Sequence, residues 1–292
     1  MLREQFPDHA GRIAVGLAGR GSECWGYDDA LSRDHDFEGG FCLWLTAEDE
    51  EKIGLALSRA YRELPFLRAQ AHSALAARNR GPMAMGDFFR RYTGTEGAPV
   101  HWQQWLALPS HALAEAVNGE VWRDDLGAFT RMREEIRHGM PEDVRKKKLA
   151  ARAVEMAQSG QYNYARCLRR GEAGAAMLAL SEFVKSACAM IYLLNREHMP
   201  YYKWCLRGME RLPLLAAMKE PLEFLLTGDN DPAGQRLKQQ VLEEICAQVV
   251  KELQAQGLSG GSWDYLEPHG FRIMEGIENA QIRALHILEG EI

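Results

Sequence analysis

The sequence predicts an α+β protein: a small mixed-sheet domain over residues 1–128, followed by an all-helical bundle domain over residues 129–292. Three observations carry this. Residues 13–18 and 41–45 are short apolar runs, strand-like in length and bounded by glycine. From about Phe129 onward apolar residues recur at helical spacing. No repeat and no low-complexity linker separates the halves, so the boundary is a change of pattern near residue 128.

Taken in order, residues 13–18 form the first strand and end in Gly19-Arg20-Gly21-Ser22. The second strand, 41–45, follows Gly39-Gly40. Residues 47–64 read as a helix, with Glu48, Asp49, Glu50 and Glu51 near the start, where the helix dipole favours anions. Between 79 and 127 several Gly and Pro breakers leave short strands at 83–89 and 120–122. Pro141 opens a helix that runs to Gly160. Residues 172–197 form a long helix apolar enough to be buried on more than one side. Asp231-Pro232 caps another, in which Leu237, Val241, Ile245 and Val249 recur at i+4 and Leu242 and Leu253 widen the stripe. Residues 257–262 are a loop, and 271–288 return to helical spacing. The run Arg145-Lys146-Lys147-Lys148 reads as a solvated helix face. Trp102 and Trp105 read as core.

Composition bounds the function. With 46% hydrophobic and 26% charged residues, the 292-residue chain buries a core without disulfide staples. The net charge of −6 argues against a protein whose main task is coating DNA or lying on an anionic membrane. The six cysteines form no C-x-x-C pair and no zinc spacing, and read as buried thiols in a reducing compartment. The N-terminal MLREQFPDHAGR is charged where a signal peptide is apolar, and no run approaches the 18 apolar residues of a membrane span. A cytoplasmic location is expected.

The chemistry concentrates between Gly21 and Phe37. Gly21-Ser22 is followed, after eleven intervening residues, by Asp34-His35-Asp36. On extended backbone Asp34 and Asp36 share a face, about 7 Å apart at Cα. Two such carboxylates repel unless a cation lies between them, and carboxylate with phosphate oxygens suits Mg²⁺. Glycine admits a phosphate close to the backbone, and Ser22 offers a hydroxyl and an N–H. A helix starting just after Ser22 would add favourable potential.

Gly21-Ser22, Gly26, Ser32 and Asp34-x-Asp36 at this spacing resemble the signature of the DNA polymerase β-like nucleotidyltransferase superfamily. The wording GSECWGYDD, SRDHDF, GQYNYARCLRRGE and LLNREHMPYYKW is similar to a bacterial branch that joins such a domain to a helical C-terminal domain. The resemblance implies that Gly21 and Ser22 bind a triphosphate and that Asp34 and Asp36 hold two Mg²⁺ ions. It implies transfer of a nucleoside monophosphate, AMP from ATP, to a hydroxyl of a small molecule or a protein. A third carboxylate is expected from a later strand, with Asp87 the first choice and Asp124, Glu120 and Glu38 the others. The helical domain is expected to close over the nucleotide. There Tyr162 would stack on the base, Asn163 and Arg166 stand beside it, and Arg166 and Lys203 would meet phosphate. The plainer readings are an interdomain hydrogen-bond network for Tyr162, Asn163 and Arg166 and a cation–π packing site for Lys203. His35, polar where the superfamily has an apolar residue, and Gly39-Gly40 depart from the pattern. They leave open a catalytically silent nucleotide-binding or partner-binding protein on the same fold. Nucleic acid and membrane are not expected partners.

Overall fold

The computed structural model describes residues 1–29, 39–68 and 80–290. The fold is mixed α and β, 64% helical, with a small four-stranded mixed sheet near the N-terminus and many helices after it. It divides into two compact units, Met1–Gln104 with Ala112–Gly139 and Trp105–His111 with Met140–Ile292. Asp34 and Asp36 lie outside the described residues.

The first unit is built on strands β1 (Ala14–Leu17), β2 (Cys42–Leu45), β3 (Gly81–Ala84) and β4 (Glu120–Arg123), in the order β3-β2-β1-β4. β1 runs antiparallel to β2 and β4, while β2 and β3 are parallel. Its helices are α1 (Leu2–Gln5), α2 (Ala47–Arg62), α3 (Pro65–Arg68), α4 (Met85–Thr93), most of α6 (Ser110–Val117) and α7 (Ala128–His138). The division between units passes through α5 (Trp102–Ala107). All four β2 residues are buried, and their alternation serves two cores. Leu43 and Leu45 join Ile13, Leu57 and Tyr61 on the α2 side. Trp44 faces the other way, edge-on to Phe88 and stacked on Phe129 with ring centroids 3.8 Å apart.

Two sequence expectations shift here. The strand expected at 83–89 stops at Ala84, and α4 takes the rest. Met85, Phe88, Phe89 and Tyr92 are buried at i, i+3, i+4 and i+7, a helical period masked at its start by the apolar Met83, Ala84 and Met85. The unit boundary also falls after Gly139 instead of residue 128. The reason is Phe129, which stacks on Trp44 and Phe89 and ties α7 to the sheet.

The second unit contains α8 (Glu142–Met156), a π-helical stretch (Ala157–Tyr164) and α9 (Ala165–Arg169) in one continuous rod. After it come α10 (Ala173–Leu194), α11 (Tyr202–Met209), α12 (Lys219–Thr227), α13 (Pro232–Ala255), α14 (Leu266–Glu275) and α15 (Ala280–Arg283). α8 packs against α10 and α14. Gly270 permits the latter approach: a Cβ there would lie 2.8 Å from the Ala150 carbonyl. α10 is long and apolar enough to cross a membrane by length and composition, yet 61% of its most apolar window is buried inside this unit. On α13, Asp231 caps the start by accepting from the Gly234 N–H at 2.7 Å. Leu242, Ile245, Val249 and Leu253 are buried, whereas Leu237 faces solvent.

The basic run on α8 is not a solvated face. Arg145 and Lys147 are buried, because four consecutive helical residues point in four directions from a central helix. Each cation donates to carbonyls of a different neighbour. Arg145 reaches Leu193 at 3.1 Å and Lys146 reaches Gly276 at 2.7 Å. Lys147 reaches Ile287 and Glu289 at 2.7 and 2.8 Å, and Lys148 reaches Leu106 at 3.0 Å. Unpaired carbonyls at helix ends and turns explain the demand for cations.

Candidate functional site

The Gly19–Ser22 turn leaves β1 at the end of the sheet where the other three strands begin. Gly16 lies opposite Cys42, Cys42 opposite Gly81, and Leu17 opposite Glu120. The turn needs left-handed backbone at Gly19 (φ 105°) and Gly21 (φ 111°), which glycine supplies without strain. Three side chains fix it. The buried Asn118 amide accepts from the Gly19 N–H at 2.7 Å and donates to the Gly19 carbonyl at 2.8 Å. The Tyr92 hydroxyl lies against Gly19, where a Cβ would come within 2.5 Å of it. Arg80, just before β3, donates to the Arg20 carbonyl at 2.9 Å and to Glu23 Oε1 at 2.5 Å.

Ser22 begins a single 3₁₀ turn, Ser22–Trp25, that ends in left-handed Gly26. No long helix starts there, so the expected dipole is absent. The open side of Gly21 is not bare. A Cβ there would lie 2.2 and 2.5 Å from the two Glu23 carboxylate oxygens. Glu23 thus folds an anion over the glycine and holds it on a buried guanidinium. Cys24 and Cys42 also flank Arg80. Burial pushes the Cys24 thiol up to about 12 and raises Cys42 as well, despite the nearby positive charge, so both stay neutral. Arg80's anionic partner is therefore a carboxylate and not a thiolate.

Gly39-Gly40 lead into β2 at this same end. Gly40 has its own reason to be glycine: a Cβ would lie 2.7 Å from the Tyr61 hydroxyl, which donates to the Phe41 carbonyl at 2.9 Å. The third-carboxylate candidates separate. Asp87 is not on a strand; it sits in the first turn of α4, beyond the far end of β3, exposed and paired with Arg90, which also binds Glu96. The structure does not bring it to the Gly21 turn. Asp124 accepts from the Thr130 N–H at 2.8 Å and caps the start of α7. Glu38 lies outside the described residues. Glu120 opens β4 beside Leu17, at the end of the turn, where its Oε2 accepts from Trp122 Nε1 at 3.2 Å. Among the described residues no three His, Cys, Asp or Glu side chains converge.

In the helical unit, the π-helical stretch carries Tyr162 and Asn163 outward, both exposed. Arg166 donates to the Tyr162 hydroxyl and lies over its ring, 5.1 Å from the centroid. The wide turns are pinned by Gln161, which donates to Glu243 at 2.7 Å and accepts from the Leu266 N–H at 2.9 Å. Gly160 must be glycine, since a Cβ would lie 2.3 Å from the Phe183 ring. Lys203 sits on α11 with Nζ 5.1 Å from the Trp204 centroid, a cation–π pair. The structure therefore joins Tyr162 and Arg166, and gives Lys203 a local partner.

Sequence reasoning missed Arg80, Asn118, Glu23 and Tyr92. Asn118-Gly119 was readable as a turn signal, but nothing in the sequence links it to a glycine 99 residues away. A family model described as a domain of unknown function (DUF4037) matches residues 105–205, about a third of the chain. That span includes Tyr162, Asn163, Arg166 and Lys203 and excludes Gly21, Ser22, Asp34 and Asp36. No curated protein and no solved structure matches the chain.

Proposed function

We propose that the protein is a Mg²⁺-dependent nucleotidyltransferase that moves a nucleoside monophosphate, AMP from ATP, to a hydroxyl of a small molecule or protein. The observation that carries this reading is the Gly21-Ser22 turn. Asn118 and Arg80 hold it at the end of the sheet where β2 starts, and β2 follows Asp34-His35-Asp36 in the sequence after five residues. The fit to phosphate rests on the turn's own chemistry: the open face of Gly21 already accommodates an anion, the Glu23 carboxylate, beside a buried guanidinium. Gly21 and Ser22 would present backbone N–H and hydroxyl donors to the triphosphate. Asp34 and Asp36, one residue apart, form a donor set suited to Mg²⁺, which when bound would neutralise charge on the phosphoryl oxygens. The acceptor oxygen would form the new bond to the α-phosphorus as the bond to pyrophosphate breaks, and its proton would pass to a carboxylate. Glu120 is the residue to test in that role. Tyr162, Asn163, Arg166 and Lys203 are assigned to base and phosphate contact on the resemblance.

The Glu23–Arg80 pair also favours a second reading, a silent protein whose cradle is permanently filled. Calorimetric titration of a non-hydrolysable ATP analogue, with and without Mg²⁺, separates the two. Magnesium-dependent binding that weakens at least tenfold in Asp34→Asn supports the enzyme. Folded wild-type protein that binds no nucleoside triphosphate analogue overturns it.

A further inference from the structure

The second unit holds a cleft of about 420 Å³ where the start of α8, the end of α10 and the end of α13 meet the Pro213-Leu214 segment. Its charge is organised around one carboxylate. Glu142 takes both Arg145 Nη2 at 2.7 Å and Arg145 Nε at 3.1 Å, and also Arg196 Nη1 at 2.9 Å. Two guanidinium groups against one carboxylate leave a net charge of about +1. Arg145 is fully engaged, because its Nη1 donates to the Leu193 carbonyl and to Gln256. Arg196 is not: Nη1 is on Glu142, while its Nε–Nη2 edge makes no hydrogen bond among the described residues and its side chain is 62% exposed. That edge has the planar two-donor geometry that suits a carboxylate or a phosphate.

The backbone at Arg196 sharpens the argument. α10 ends in a Schellman turn, in which the Glu197 N–H donates to the Tyr192 carbonyl and the Arg196 N–H to the Leu193 carbonyl. Arg196 occupies the left-handed position of that turn, φ 57°, where glycine is the residue without a penalty. Among the described residues only one other non-glycine has positive φ, and it is Leu215, next to the cleft-lining Leu214. The position therefore carries a conformational cost that glycine would remove, and what it supplies in return is a guanidinium. The rest of the wall is locked. Asn195 donates to the Leu214 carbonyl at 3.0 Å and accepts from its N–H at 2.9 Å. Gln256 donates to the Leu194 carbonyl at 2.9 Å.

We infer that this cleft binds a small organic anion, a carboxylate or a phosphomonoester seated on the Arg196 Nε–Nη2 edge, with its apolar part against Leu194, Pro213 and Leu214. The inference does not depend on nucleotidyl transfer. The probes are 4-fluorobenzoate, 4-fluorophenyl phosphate and neutral 4-fluorobenzamide, titrated on the full chain and observed by fluorine NMR. At least one anion should bind, and the amide at least tenfold more weakly; the preferred anion identifies the headgroup. Arg196→Gly suits the turn, so it should keep its melting temperature and lose at least tenfold in anion affinity. Leu214→Trp, which fills the cleft without removing charge, should lose binding as well. Equal binding of the amide, unchanged affinity in Arg196→Gly, or no anion binding to wild type at millimolar concentration would each overturn the site.

Discussion

Glu23 shows how one side chain can oppose stability and binding. Its carboxylate holds Arg80 at 2.5 Å and covers Gly21, so it places an anion on a buried guanidinium. On the proposed reading, a phosphate entering the Gly21 turn would compete with this carboxylate. Glu23→Gln should therefore cost the free protein about 1–3 kcal/mol in stability, because a charge-assisted bond becomes a neutral one. The same change should tighten binding of a triphosphate analogue by roughly tenfold, since a difference of about 1.4 kcal/mol in competition is a factor of ten. Thermal unfolding and calorimetry on one sample read both signs. Tighter binding without lost stability, or the reverse, would show that Glu23 is not the resident anion. Of this arrangement the sequence displayed Gly21 and Ser22, whose types fit a turn on their own. It could not display Arg80 or Asn118, whose roles arise only when strands distant in sequence are paired.

At the scale of elements, the rod from Glu142 to Arg169 is decided by its middle. The π-helical turn needs Gly160 against Phe183 and Gln161 tied to the start of α14. Gly160→Ala would overpack that contact, and the protein should lose about 1–3 kcal/mol by chemical denaturation. An unchanged midpoint would mean that the Phe183 ring moves aside freely. The strands at 14–17, 42–45 and 120–123 were legible because each is a short apolar or alternating run bounded by glycine. α4 was misjudged because three consecutive apolar residues, Met83 to Met85, mask the switch from period 2 to period 3.6. The π-helical stretch left no sequence signal at all, because its hydrogen bonds obey the packing of Phe183 and α14 and not local propensity. The basic run on α8 deceived for a related reason: composition reports charge but not what the charge can reach.

Those cations make a prediction about the whole molecule. Burial pushes Lys147 and Lys148 each down to about 8, whereas an unfolded lysine titrates near 10.5. Below pH 8 the fold must carry two charged amines that the unfolded chain holds at no cost. Between about 8 and 10.5 the unfolded state binds more protons, so stability rises with pH. From pH 7.5 to 9 the melting temperature should climb by roughly 4–8 °C, the size of about 2 kcal/mol from the two lysines together. Above pH 9 the buried thiols, held protonated in the fold, begin to reverse the gain. Lys148→Met should flatten the climb by about half, and an equally steep curve in that variant would refute the assignment. The partners of these lysines also fix the order in which the chain can be completed. Lys148 meets a carbonyl 42 positions earlier and Lys147 meets carbonyls 140 and 142 positions later. The second unit takes residues 105–111 from one side of an excursion through the first unit and the remainder from the other. A helical array of this kind would ordinarily assemble quickly from near neighbours, but here closure waits for segments far apart in sequence. Refolding should thus proceed through a slow late phase in which helices are formed while the chain's last turns are still undocked.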